Sequence, residues 1–545
     1  MNLAQQRAFG VILNYLSIGV SAVATFVYVP VMLHVLGARG FGLYQTIGSF
    51  SAYMAILDAG LGATLTRYYA WEKAKGALRD RLGRIVGMVL AVYAILDVAV
   101  VILGVFFYVS ADFLFGDSFS VEELAASRIM LIIVTINAVI MIPGNVFNAV
   151  VNAEERFVFS RLLSVVRGIL QPLAIILTIL VFPSAVSAVT ALLVVNCLYI
   201  VVNAMYAKVK LGLTISFGQW NIPLLKEMIS FSVCVLFGLI FDQIFWRTDQ
   251  LIIASWLGAA AVATYSVATT IVNAYILFTS TIFVMFVPKL TQMVANGASK
   301  REVSDLFAKV GRVQALLVSL IVTAFILFGR EFIALWAGVE HDAAYWVVLC
   351  FMFGMYVPLI QNLGAGILQA MNAQKFKAIT YLVLALVNVA VSIPAVHYFG
   401  YLGCAVASMV CLWVGTGPVI NWYYSRRLGL DMRNFFRRVS VPVIASWIVC
   451  VVFWALFSRV PTSSNWVVFI IEVGAYVGTF SVVAWMWVLE GEEKRSLTRI
   501  FRWRKNRSMT ATASRGLAGG DVHESANAGG DVHESANAGA NGVQE

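Results

Sequence analysis

The sequence predicts an all-α polytopic membrane protein with about fourteen transmembrane helices: two parallel six-helix bundles related by a pseudo-two-fold axis, plus a C-terminal helix pair. Three observations predict it. The 545 residues are 61% hydrophobic and 12% charged, with a mean hydropathy of +0.85, against roughly 25% charged in a soluble domain. The apolar residues fall in blocks of about 20–28, enough to cross a hydrocarbon core of roughly 30 Å as helix. Basic residues cluster in alternate loops, and short motifs recur six spans later.

A short polar stretch, Met1 to Arg7, leads directly into the first block, so no separate signal peptide is expected. Spans are predicted at 10–36, 43–66, 83–109, 127–151, 158–182, 185–207, 229–257, 261–288, 309–332, 344–370, 377–398, 401–424, 439–458 and 466–489. With the N-terminus inside, one set of loops holds Lys73, Lys75, Arg79, Arg81 and Arg84, then Arg156, then Lys208, Lys210 and Lys226. The same side continues with Lys300 and Arg301, Lys375 and Lys377, Arg426 to Arg438, and the cluster from Lys494 to Arg507. Loops on the other side hold only Arg39, Arg128, Arg330 and Arg459. One missed or invented span would invert this pattern downstream, so both termini are expected in the cytoplasm.

Leu36-Gly37 followed by Tyr44 recurs as Leu257-Gly258 followed by Tyr265, and Asn152-Ala153-Glu154-Glu155-Arg156-Phe157 recurs, one residue shorter, as Asn372-Ala373-Gln374-Lys375-Phe376. The shared offset, about 220 residues, spans six helices. Six is even, so the halves keep the same orientation and form a parallel repeat. The expected organisation is a first bundle over 1–208, a second over 209–428, two added helices over 429–490, and a basic segment and tail over 491–545. In that tail Gly519–Ala528 (GGDVHESANA) is repeated as Gly529–Ala538. Its small polar composition predicts disorder.

No metal or other cofactor is expected, because the six cysteines sit singly inside apolar blocks and the tail histidines make a weak site. The +10 formal charge follows the loops, as in membrane proteins, and argues against a nucleic-acid partner. Catalysis is not expected either: the loops are short and none carries paired carboxylates on a rigid element. The expectation is transport.

Polar residues at helical spacing mark the candidate path. Span one carries Asn14, Ser17, Ser21, Thr25 and Tyr28; span four carries Asn137, Asn145, Asn148 and Asn152; span five carries Arg161, Ser164, Arg167 and Gln171. Span ten offers Asn362, Gln369 and Asn372. Amides facing lipid would be unsatisfied, so these faces point at protein or water. Ionisable groups at depth each cost roughly 2.5–3.5 kcal/mol on insertion scales, which makes them functional candidates. They are Asp58, Asp97, Asp242, Arg247 and Asp249, with Arg67, Arg161 and Lys289 toward cytoplasmic ends. Prolines 30, 143, 172, 288, 358, 394 and 418 permit kinks.

The stretches YVPVMLHVLGARGFGLYQTIGSF and LDAGLGATLTRYYA, with WRTDQLIIASWLGAAAVATYSVATTI and FVPKLTQM in the second half, resemble bacterial polysaccharide flippases. These belong to the multidrug/oligosaccharidyl-lipid/polysaccharide flippase superfamily. AVVNAEERFVFSRLLSVVRG resembles that family's loop after span four. The likeness covers roughly residues 10–425. It implies a flippase of the bacterial plasma membrane whose partners are a lipid-linked oligosaccharide (O-antigen, capsule or exopolysaccharide units), membrane lipids and other polysaccharide-assembly proteins. On that reading Arg67, Arg161, Arg167, Arg247, Asn145, Asn148 and Gln369 bind substrate, and Asp58, Asp97, Asp242 or Asp249 couples to an ion gradient. A competing motif, Gly76-Ala77-Leu78-Arg79-Asp80-Arg81-Leu82-Gly83-Arg84, matches a loop signature of the major facilitator superfamily. A multidrug or small-solute exporter, of facilitator type or from the flippase superfamily, is therefore the alternative.

Overall fold

The structure, a computed structural model, describes residues 3–58, 60–218, 220–371, 373–457, 465–491 and 494. The side chains of residues 3–12, 14, 15, 234, 235, 237, 238, 242, 284 and 374 lie outside that description. So does the predicted tail repeat. Among the described residues every regular element is helical.

The first half comprises α1 (Leu3–Ala55), α2 (Leu61–Ala74), α3 (Arg79–Phe115), α4 (Val121–Ala153), α5 (Phe157–Val181) and α6 (Ala185–Met205). The second begins with α7 (Ile222–Leu257), α8 (Ala259–Ala295) and α9 (Lys300–Trp336). It continues with α10 (Ala344–Ile360), α11 (Asn362–Ala370), α12 (Gln374–Phe399), α13 (Tyr401–Val414) and α14 (Ile420–Tyr423). The last helices are α15 (Met432–Phe457) and α16 (Trp466–Val483). Residues Met1–Val482 form one compact unit. Val483–Glu545 form a second, whose described part contains the π-helical turn Ala484–Val488.

Among the described residues eleven helical segments are long and apolar enough to cross a membrane, or twelve with the bent pair α10–α11. One of the eleven, Leu16–Ala74, holds 59 residues and carries both span one and span two, while α7 carries span seven outside that set. Each predicted span thus has its helix. Exposed apolar side chains mark the lipid face: Ile95, Val98, Ile102, Val105, Phe106 and Val109 form one stripe along α3.

Two left-handed glycines set the repeat. Gly37 (φ 68°, ψ 174°) breaks α1 into its two spans. Gly258 (φ 83°, ψ 177°) separates α7 from α8 in nearly the same conformation. A side chain is disfavoured in that region, so glycine is the residue that makes the turn. The π-helical turns Tyr206–Lys210 and Tyr424–Leu428 end spans six and twelve in the same way, each carrying two basic residues.

The two halves meet where repeat-related residues face each other. Gly42 of α1 lies against Ala259 and Ala263 of α8: a Cβ on Gly42 would stand 1.7 Å from the Ala259 carbonyl oxygen and 3.1 Å from the Ala263 nitrogen. Position 263 is the repeat partner of position 42, as expected for helices crossing on a pseudo-two-fold axis. The facilitator-like loop motif has a local explanation. Gly83 accommodates the extended segment joining the halves, with Ser216 N–H donating to Gly83 C=O at 3.2 Å. Arg81 of the same motif pairs with the buried Glu72 at 2.9 Å.

Candidate functional site

The polar side chains predicted to line a path fall into three groups, and the structure gives each a different environment. The first is a seam along α1, α2 and α7. Ser49 donates to Gln250 at 2.6 Å, and Gln250 in turn donates to Ser266 at 3.3 Å. Tyr53 bonds Thr248. Farther along, Thr64 and Ser232 share a 2.8 Å hydrogen bond, and Tyr68 donates to Glu227 at 2.9 Å. These partners run antiparallel, residue by residue, and all but Glu227 are neutral. Arg247 lies in α7 beside this seam, within electrostatic range of the Tyr28 and Tyr53 phenols. Arg67 is exposed, its guanidinium 4.6 Å above the Phe231 ring of α7.

The second group sits in the first half. Span two is not a continuous helix: the chain tightens into a 3₁₀ turn, Ile56–Asp58, and then passes through Gly60 in the left-handed region. That break presents Asp58 to α3 and α4, where it accepts from Tyr93 at 2.7 Å and from Asn145 at 3.2 Å. Asp97 lies one turn beyond Tyr93, half-buried, with Oδ1 unpartnered. Asn148 accepts from Asn152 at 3.3 Å and from Ser160 at 3.4 Å.

Arg167 faces inward within the same half. It donates to Asn196 at 2.7 Å and lies 4.7 Å over the Tyr199 ring, while Asn196 donates onward to Asn137 at 2.8 Å. Ser21 of the span-one stripe also faces into this bundle, against Gly168 of α5. Arg161 is half-buried on α5 and Gln369 is exposed on α11. The Asp242 side chain lies outside the described residues.

The third group is a buried carboxylate site in the second half. Asp249 of α7 is 2% exposed. Its Oδ2 accepts from Tyr265 of α8 at 2.8 Å and from Ser408 of α13 at 2.9 Å. Asn388 and Ser392, one turn apart on α12, complete the ring, with Ser392 donating to Asn388 Oδ1 at 3.4 Å and the Ser408 oxygen 3.3 Å from the same atom. Asp249 Oδ1 and the Asn388 amide nitrogen are buried without partners. A ring of one carboxylate, hydroxyls and an amide, with one lone oxygen, can hold a proton or a small hard cation. Sequence reasoning found Asp249 but missed Tyr265, Asn388, Ser392 and Ser408. The polar pair 388/392 at i, i+4 in an otherwise apolar span was the available signal.

The profile of the family described as polysaccharide biosynthesis protein matches residues 8–294. No curated protein matches the chain by sequence. Among solved structures, the chain is similar to the lipid II flippase MurJ in an inward closed conformation, with a TM-score of 0.71 and 12% identity, covering 87% of this chain and 98% of that one. It is also similar to an inward-facing multidrug resistance MATE family transporter of the MOP superfamily, with a TM-score of 0.61 and 16% identity, covering 75% and 94%. At these identities the likeness shows the fold: two lobes of membrane-spanning helices.

Proposed function

The chain belongs to the polysaccharide biosynthesis protein family, and from that premise we propose that it flips polyprenyl-diphosphate-linked oligosaccharide units across the bacterial plasma membrane for cell-surface polysaccharide assembly. The family match carries this reading. Both termini face the cytoplasm, and the lobes 1–208 and 209–428 rock against each other in alternating access, with 429–490 as an added pair.

The task is to move a diphosphate and many hydroxyls past hydrocarbon while the polyprenyl tail stays in lipid. Cations receive the phosphates, and amides receive the sugars. Arg67 suits the entrance, being exposed at the seam, with Arg161 a second candidate toward a cytoplasmic end and Arg247 at mid-depth. Asn145, Asn148 and Gln369 are the sugar-facing candidates. Arg167 also links α5 to α6 through Asn196, which in turn bonds Asn137 of α4.

Ion coupling is assigned first to Asp249. Its buried site holds one unpartnered oxygen, so loading a proton or monovalent cation changes the charge balance between α7, α8, α12 and α13. Asp58 and Asp97 form the second candidate pair, in the other lobe.

The test is the lipid-linked saccharide pool in cells lacking the gene, complemented with wild type or Arg247→Ala. Accumulation of a complete repeat unit on the cytoplasmic leaflet, with surface polymer lost, is expected for both the deletion and the variant. A normal pool together with increased sensitivity to small cationic compounds would replace this reading with the exporter alternative.

A further inference from the structure

A cleft of about 860 Å³ opens between the first turns of α9 and α15, away from the seam and both carboxylate sites. Lys300 and Arg301 form one wall; Arg433, Arg437 and Arg438 form the other. Asp305 and Asp431 also line it, but both are engaged. Asp305 pairs with Arg438 at 3.5 Å, and Asp431 caps α15 by accepting the Asn434 N–H at 2.9 Å. Among the described residues none of Lys300, Arg301, Arg433 and Arg437 forms an ion pair with a carboxylate.

The preference of basic residues for the inner face explains why each helix start is basic. It does not explain why two segments about 130 residues apart converge on one concavity. The convergence is held rigidly. Phe307 of α9 stacks on Phe435 of α15 at 4.4 Å, both fully buried, and Phe435 fills the space left by Gly311. Asp431 N–H donates to Ser304 at 3.2 Å, tying the two helix starts together.

Depth identifies the ligand class. The predicted hydrocarbon segments begin at 309 and 439, so Arg437 and Arg438 sit at the boundary and Arg301 about 12 Å beyond it at 1.5 Å per residue. Phe436 and Trp422, both exposed, mark the same interface. Phosphate groups of a lipid leaflet lie at that level, and both helix N-termini add positive potential there. We propose that this cleft binds the phosphate headgroup of an anionic phospholipid of the cytoplasmic leaflet, clamping α15 to α9. The assignment of leaflet rests on the topology proposed above; the binding itself does not depend on the transported saccharide.

Purified full-length protein in mild detergent is titrated with phosphatidylglycerol, phosphatidylcholine or inorganic phosphate at matched ionic strength, and lipid adducts are counted by native mass spectrometry. Phosphatidylglycerol is expected to bind preferentially. Each basic residue near an anionic surface is worth about a fivefold change, so R433Q/R437Q should weaken it about twenty-five-fold. K300Q/R301Q, on the opposite wall, should do the same. The control R426Q/R427Q, equally exposed but outside the cleft, should change it less than twofold. Equal binding of both lipids, equal losses in the control, or displacement by inorganic phosphate at lipid-like concentration would each overturn the proposal. Labelling Arg301→Cys on intact cells with an impermeant maleimide tests the leaflet separately: outside reactivity would refute the topology and leave the binding result standing.

Discussion

Gly42→Ala tests whether the α1–α8 crossing is a closed gate between the lobes. The added Cβ would stand 1.7 Å from the Ala259 carbonyl oxygen and 2.6 Å from its carbon. A carbon–oxygen contact needs about 3.3 Å, so the helices must part by about 1.6 Å. Both neighbouring atoms are backbone, so no rotamer change relieves the clash. Overpacking of this kind costs about 2 kcal/mol, which shifts a two-state equilibrium about thirtyfold. The strain exists only where the two helices cross, so the population moves toward states in which they separate. Ser266, fully buried two turns along α8, reports the change. In a cysteine-free background, Ser266→Cys should label with a soluble maleimide about thirtyfold faster when Gly42→Ala is present. Gly48→Ala is the control, because a Cβ there meets nothing within 4 Å. Wild-type labelling and transport in Gly42→Ala, or equal acceleration by Gly48→Ala, would refute the gate. A lowered thermal midpoint without faster labelling would show that the contact holds the fold instead.

Asp249→Asn keeps a hydrogen-bonding oxygen for Tyr265 and Ser408 but removes the charge; the protein should keep its thermal midpoint within a few degrees and lose the ion-gradient dependence of transport in vesicles. Arg167→Gln removes a charge-assisted hydrogen bond worth about 1.5–3 kcal/mol, so its thermal midpoint and transport should fall together, and a variant of normal stability with lost transport would instead place Arg167 on the substrate. His341, in the turn before α10, is 2% exposed, with Nδ1 2.9 Å from the Thr264 hydroxyl and Nε2 unpartnered. Burial holds its pKa below the ordinary value, with Glu340 opposing. The unfolded chain therefore binds the proton more readily, and the stability this group contributes is present above about pH 6.5 and lost as pH falls through the folded pKa, by at most about 1.4 kcal/mol per unit. Unfolding midpoints at pH 7 and pH 5 should diverge less in His341→Gln than in wild type.

The helices were legible because the bilayer imposes a length and a composition that sequence displays directly. Predicted span three, 83–109, lies inside a helix running Arg79–Phe115, and the helix ends outrun the apolar block because backbone hydrogen bonding continues outside hydrocarbon. The repeat was legible at Leu36-Gly37 and Leu257-Gly258 because a positive-φ turn demands glycine in both places. Partners were not legible. The residues around Asp249 come from α8, α12 and α13; Tyr265 is 16 residues away across the Gly258 turn and Ser408 is 159 away, and no spacing rule pairs either with Asp249. The stripe containing Arg161, Ser164 and Arg167 was legible from periodicity, but its spacing could not say that Arg167 would meet Asn196 and Tyr199 of α6. Asp58 was expected within a regular helix, whereas the chain breaks there and so brings the carboxylate to Tyr93 and Asn145.

The chemistry of the seam bears on how the lobes separate. The bonds Ser49–Gln250, Tyr53–Thr248 and Thr64–Ser232 join neutral hydroxyls and amides. A neutral hydrogen bond contributes about 1 kcal/mol net, because water replaces it at little loss when the groups are exposed. Three such bonds plus the Tyr68–Glu227 contact thus hold the seam by about 4 kcal/mol, an energy within the range that a ligand with differential affinity for two states can offset. A seam of buried ion pairs would behave differently: separating unlike charges leaves each uncompensated and costs several kcal/mol per pair. The buried carboxylates Asp249 and Asp58 lie inside the lobes and Arg167 bonds Asn196 within the first, while Glu227, Arg67 and Arg247 are the charged groups at or beside the seam. On the proposed alternating-access reading, hydrogen bonds between neutral groups suit a contact that is remade every cycle, while the buried carboxylates Asp249 and Asp58 stay within their own lobes.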